Sequence, residues 1–160
     1  MTLLTFTHVV LSLAGIASGL VVVFGLLTAK RLDGWTTVFL STTTLTSLTG
    51  FLFPIHGFTP GLAVGVLSLV VLTVAIVARY CRQMAGWWRP IYVVSAVISL
   101  YLNVFVLVAQ LFMKVPALTA LAPTQSEPPF LVAQTVVLAL FVAIGIGSVI
   151  RFRGEASLLP

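Results

Sequence analysis

Charge is what this chain has least of. Its three acidic residues, Asp33, Glu127 and Glu155, all fall between or beyond the apolar runs. Charged residues make up 7% of the sequence, against about 25% in a soluble domain, so the material for a water-facing globular surface is missing. No Asp, Glu, Lys, Arg or His lies deep inside an apolar run. Proton pumps and many ion exchangers need an ionisable group at membrane depth, which argues against that class. Cysteine occurs once, as Cys81, so neither an internal disulfide nor a Cys-x-x-Cys redox pair can form. The sequence has no phosphate loop, dinucleotide fingerprint, HExxH helix or GxSxG elbow. Nor does it place a carboxylate beside a His for a Ser/His hydrolase. A non-enzymatic protein is the expectation.

What is present is apolar length. Hydrophobic residues make up 60% of the chain and gather in five runs, at about 8–29, 35–53, 61–80, 90–113 and 130–150. Such runs match the ~18–20 residues that cross a ~30 Å hydrocarbon layer. All eight prolines fall at run boundaries or at the C-terminus, where they leave helices intact. The expected fold is therefore all-α, a single polytopic bundle of five transmembrane helices. Of the eight basic residues, Lys30, Arg31, Arg79, Arg82, Arg89, Arg151 and Arg153 fall on one side of such a bundle. Lys114 alone falls on the other. By the positive-inside rule the N-terminus is outside and the C-terminus cytoplasmic. The same rule accounts for the net charge of +5 without nucleic acid as a partner, because the basic residues are spread over separate loops. No basic residue precedes the first run and two follow it, which reads as a retained span rather than a cleaved signal.

Two of the runs carry polar groups. Ser41 to Thr49 holds seven hydroxyls in nine residues. In lipid each can bond back to a carbonyl of the previous turn, so the segment can remain helical. Thr42, Thr46 and Thr49 are taken as its inward side. The fourth run carries Tyr92, Ser99, Asn103, Gln110 and Lys114 within a sector of roughly 60° at about 100° per residue. An amide facing hydrocarbon would lose its partners at a cost of roughly 2–7 kcal/mol, so this line should face the bundle interior. Ser12, Gly15 and Gly19 on the first run, and Gly61, Gly65 and Ser68 on the third, offer small faces for close helix approach.

These features define the candidate sites. Asn103, Gln110, Lys114, Gln134 and His56 would line a small polar pocket or partner site in the outer half of the bundle. His8 and His56 fall on the same side, where two imidazoles could ligate a b-type haem with Lys114 near a propionate. With Glu127 they could instead bind Cu or Zn. The third alternative is an oligomeric channel or transporter lined by Thr42, Thr46, Thr49 and Asn103. The loop 115–129, with four prolines, could lie on the membrane surface, cover the bundle mouth or receive a membrane-protein partner. Lys114 and Glu127 could pair.

The segment Tyr101-Leu-Asn-Val-Phe-Val-Leu-Val-Ala-Gln110, with the Lys-Val-Pro-Ala-Leu and Ala-Pro-Thr-Gln-Ser-Glu-Pro-Pro-Phe stretches that follow, resembles a group of small bacterial inner-membrane proteins of uncharacterised function. More loosely, His8 before a Gly-rich helix and Leu48-Thr-Gly-Phe51 are similar to multi-pass bacterial families suspected of binding haem. The resemblance implies a multi-pass protein of the bacterial inner membrane. It supplies no catalytic residue.

Overall fold

A computed structural model describes residues 2–54 and 59–152, which form six α-helices and no strand. They are α1 (Leu3–Leu27), α2 (Asp33–Gly50), α3 (Pro60–Ile76), α4 (Trp88–Lys114), α5 (Pro116–Leu121) and α6 (Pro128–Arg151). A π-helical turn, Val77–Cys81, extends α3. Four of these helices (α1, α3 with its π turn, α4 and α6) are long and apolar enough to cross a membrane. α2 has 18 residues, about 27 Å of helix, but its hydroxyls lower its hydropathy.

Local chemistry sets the helix ends. The Thr2 hydroxyl accepts from the Thr5 N–H at 3.2 Å, so α1 begins five residues before the apolar run and His8 lies in its second turn rather than opening it. Thr59 caps α3 in the same way, ahead of Pro60 at its first position. α2 ends at Gly50, short of Pro54. The hydroxyl run stays helical because its side chains satisfy themselves. Thr42, Thr44, Thr46 and Ser47 donate to the carbonyls four residues back at 2.7–3.0 Å. The loop 115–129 contains α5, one and a half turns started by Pro116, with the Thr119 hydroxyl bonded to the Phe112 carbonyl at 2.8 Å.

α1, α2, α3 and α4 each pack on the next, α4 closes back onto α1, and α6 lies outside against α4 and α1. The end of α1, the starts of α2 and α4 and the end of α3 meet at one end of the bundle. There Arg79 bonds Asp33 and lies 5.1 Å from the Tyr92 ring. The opposite end joins the start of α1 to the end of α2 through His8 and Thr49. It also joins the end of α4 to the start of α6 through an edge-to-face contact of Phe112 with Phe130. Call these the Trp88 end and the Lys114 end. Lys30, Arg31, Arg79, Arg82, Arg89 and Arg151 belong to the first, and Lys114 is the one described basic residue of the second.

The core is dense toward the Trp88 end. Phe39, Leu72, Ala75, Tyr92, Val93, Ala96 and Leu100 are all essentially inaccessible. Gly19 makes that packing possible, since a Cβ there would lie 2.6 Å from Leu100 Cδ1 and 2.8 Å from Phe39 Cε2. Close approach of this kind is what small residues provide between apolar helices. Outward faces are apolar: Leu20, Phe24, Val70, Val136, Leu140 and Ile146 are each about half exposed or more. Arg79 departs from its expected place in a loop. The π turn carries it inside, 7% exposed, between Asp33, the Met84 sulfur and the rings of Tyr80 and Tyr92.

Candidate functional site

Toward the Lys114 end the four-helix ring opens into a cavity of about 680 Å³. This volume falls in the range of small-molecule sites, roughly 300–1,000 Å³. Its walls are apolar, with Val9, Leu13, Leu62, Val64, Val106 and Leu107 among them. Its floor carries Ser12, Thr43, Ser68, Ser99 and Asn103, and its rim His8, Gln110 and Lys114. Below Ser99 the packed layer of Leu100, Tyr92, Phe39 and Leu72 follows. Along α4 the distance from Lys114 to Ser99 is about 22 Å.

The polar line of α4 faces inward as its spacing requires. Tyr92, Ser99 and Asn103 are 1%, 1% and 8% exposed. Asn103 is held against α1: its Oδ1 accepts from the Ser12 hydroxyl at 3.0 Å, and its Nδ2 reaches the Ser12 carbonyl at 3.5 Å. The second contact is long for an N–H···O bond, so the amide retains donor capacity toward the cavity. Ser99 is satisfied by the Ser95 carbonyl at 2.8 Å.

Thr43 is different. It is 2% exposed and lines the cavity, yet its hydroxyl has no hydrogen-bond partner. A buried polar group left unpaired costs about 1–3 kcal/mol. Its neighbours on α2 avoid that cost by bonding back along the helix. Gly15 on α1 brings it close to Asn103: a Cβ on Gly15 would sit 2.9 Å from Thr43 Oγ1, 3.1 Å from Asn103 Nδ2 and 3.3 Å from Thr42 Oγ1.

At the rim, His8 Nδ1 lies 2.9 Å from Thr49 Oγ1, and the ring meets Phe53 edge-on at 5.3 Å. Thr49 gives its one proton to the Thr46 carbonyl at 3.0 Å, so it accepts from the His8 Nδ1–H. In the neutral imidazole this leaves the lone pair on Nε2.

Of the residues expected to form a site, Asn103, Gln110, Lys114, Thr46 and His8 come together on this cavity. Thr49 joins them through His8. Thr42 bonds the Val38 carbonyl at 2.7 Å and does not line it. Gln134 is turned elsewhere, donating from α6 to the Phe105 carbonyl of α4 at 3.1 Å. His56 lies outside the described residues, as does any pairing of it with His8. Glu127 does not meet Lys114. Its carboxylate accepts from the Thr124 hydroxyl at 2.8 Å and from the Thr124 and Ser126 N–H groups. Desolvation raises its pKa, but these hydrogen bonds together outweigh that and hold the carboxyl below its ordinary range. Among the described residues no three of His, Cys, Asp and Glu come together as a metal site.

Ser12 and Thr43 line the cavity without having been expected there. The signal for Thr43 is its spacing of seven from Thr36, on a buried stripe with Phe39, Leu40 and Thr46. No family model, curated protein or solved structure matches the chain.

Proposed function

We propose that this chain is a non-enzymatic multi-pass protein of the bacterial inner membrane, and that its interhelical cavity holds a small lipid-soluble molecule. α2 is the fifth span, the Trp88 end faces the cytoplasm and the N-terminus lies outside. In favour of α2 spanning, its hydroxyls bond its own carbonyls and it stands between α1 and α3 in the ring. In favour of the orientation, the described basic residues gather at the Trp88 end, apart from Lys114.

The observation that carries the binding role is an apolar cavity whose floor holds the Asn103 amide, with donor capacity to spare. Apolar walls with a few convergent polar groups are the common make-up of ligand pockets. The packed layer beneath Ser99 favours a closed pocket over a passage through the bundle. The test is to purify the full chain from membranes in mild detergent and analyse bound small molecules by native mass spectrometry. A lipid-soluble molecule retained by wild type and lost from Asn103→Leu is expected. Equal retention by both forms would refute the site. The same preparation examines haem, because a Soret band lost on His8→Ala would replace this reading. Reporter fusions at the two chain ends give the topology, and both reporters in one compartment would overturn five spans.

A further inference from the structure

If the cavity binds a lipid-soluble molecule, its mouth decides which kind. Lys114 closes α4, and Gln110 stands one turn before it on the same side of the helix. Both line the cavity. An ammonium and a primary amide each present several N–H donors. Among the described residues neither side chain has a hydrogen-bond or ion-pair partner. The described carboxylates are engaged elsewhere: Asp33 pairs with Arg79 and Arg31 at the Trp88 end, and Glu127 accepts from Thr124 and Ser126. His8, also at the rim, spends its N–H on Thr49 and in its neutral form offers only an acceptor. Lys114 is therefore the one permanent charge on the described cavity lining.

Depth decides which way a charged molecule would lie. Lys114 is exposed and ends its helix, so an anion held there keeps part of its hydration. The same anion beside Asn103, about 16 Å further along the helix, would be desolvated without a counter-ion. The walls beside this stretch, Val9, Leu13, Val106 and Leu107, suit a hydrocarbon chain. The volume of about 680 Å³ is that of a small-molecule site, which favours one chain over two. A cation at a helix C-terminus is favourable in itself, but that role leaves its donors unused and does not account for Gln110 beside it.

We infer, resting on the binding role proposed above, that Lys114 and Gln110 hold the anionic head of a single-chain amphiphile whose hydrocarbon chain runs inward along α1 and α4 toward Asn103. The head is a carboxylate or a phosphate monoester. Fatty acids and alkyl phosphates share that design, with a negative group for donors that face water and an apolar tail for the cavity.

The experiment is equilibrium binding to the full chain in an uncharged detergent, after exchange has removed endogenous lipid. Four probes of equal chain length are used: laurate, dodecyl phosphate, dodecanol and dodecyltrimethylammonium. Wild type should bind at least one anion more tightly than the neutral and cationic probes, and the tighter anion identifies the head. Lys114→Gln should lower affinity for that anion about three- to fivefold and leave dodecanol unchanged. Lys114→Arg, which keeps the charge, should retain it. Arg151→Gln removes a charge at the Trp88 end and should have no effect. A laurate carrying a diazirine at its chain end should label the cavity wall around Leu13 and Val106 on irradiation. If dodecanol binds as tightly as both anions, or if Lys114→Gln and Arg151→Gln act equally, the inference is wrong, although the cavity remains a binding site. Labelling confined to outward residues such as Val136 and Leu140 would also overturn it. If none of the four probes binds, the binding role itself fails. Lys114 is exposed, so loss of fold is not expected on substitution. Unchanged helical circular dichroism checks this.

Discussion

Thr43 carries a hydroxyl that is 2% exposed and bonded to nothing, and valine has its shape without its polarity. Substitution should therefore stabilise the ligand-free protein, the reverse of most core changes. The magnitude follows from the desolvation of the unpaired group, about 1–3 kcal/mol. Valine and threonine are both β-branched and of similar helix propensity, so the backbone term cancels. A gain of about 1–2 kcal/mol is expected, a five- to thirtyfold shift in the unfolding equilibrium. Thr46→Val is the control. Its hydroxyl donates to the Thr42 carbonyl at 2.9 Å, and hydrogen bonds within membrane bundles average about 0.6 kcal/mol, so it should be slightly destabilising. The assay is reversible unfolding in mixed micelles with increasing sodium dodecyl sulfate, followed by circular dichroism, on lipid-exchanged protein. Destabilisation of Thr43→Val by 1 kcal/mol or more would refute the reasoning, because it would mean that the hydroxyl already has a partner.

Four other outcomes are expected. Asn103→Leu leaves the Ser12 hydroxyl without its acceptor and should destabilise the same protein by about 1–3 kcal/mol, measured by the same unfolding. Gly19→Ala places a Cβ 2.6 Å from Leu100 Cδ1 and should lose about 1–3 kcal/mol through overpacking; a neutral result would show that α1 can move away from α4. Asp33→Ala strips the partner from Arg79, whose side chain is 5% exposed, whereas Arg31→Ala removes only an exposed ion pair of 3.6 Å. The first should cost about 1–3 kcal/mol and the second less than about 1 kcal/mol, so equal effects would contradict the buried placement of Arg79. The Glu127 carboxyl has a folded pKa below its ordinary 4.5. Its contribution is therefore complete above about pH 4.5 and fades as pH falls through the folded value. Proteolysis within residues 122–127 should accelerate on acidification below that point, and Glu127→Gln should remove the pH dependence.

The polar line of α4 was readable in advance because each of its members stands against Val, Leu and Ile, so the helical period has contrast. The small face of α1 was readable for the same reason, and Gly15 and Gly19 lie buried where that face predicts. In α2 the contrast disappears. Nearly every residue from Ser41 to Thr49 is a hydroxyl, and a period cannot be extracted from a uniform signal. Thr42, Thr46 and Thr49 share the expected inward side, yet of these only Thr46 lines the cavity, together with Thr43. By sequence Arg79 counts with the basic residues of the loops on one side of the bundle. The wider turn that carries it inward has no signature in residue type. Gln134 shares only its depth with the expected pocket, and depth does not give the side of a helix.

The sequence by itself determined that this protein is helical, that its long helices are apolar on their outward faces, and that the amide-bearing side of α4 faces protein. Those conclusions rest on composition and period, and both are local properties of the chain. Which hydroxyl of α2 is left without a partner, and that it stands beside Asn103 across the bare surface of Gly15, only the tertiary structure decided. Hydrogen bonding of that kind depends on how three helices meet at one depth, and residues so far apart in the chain carry no record of it.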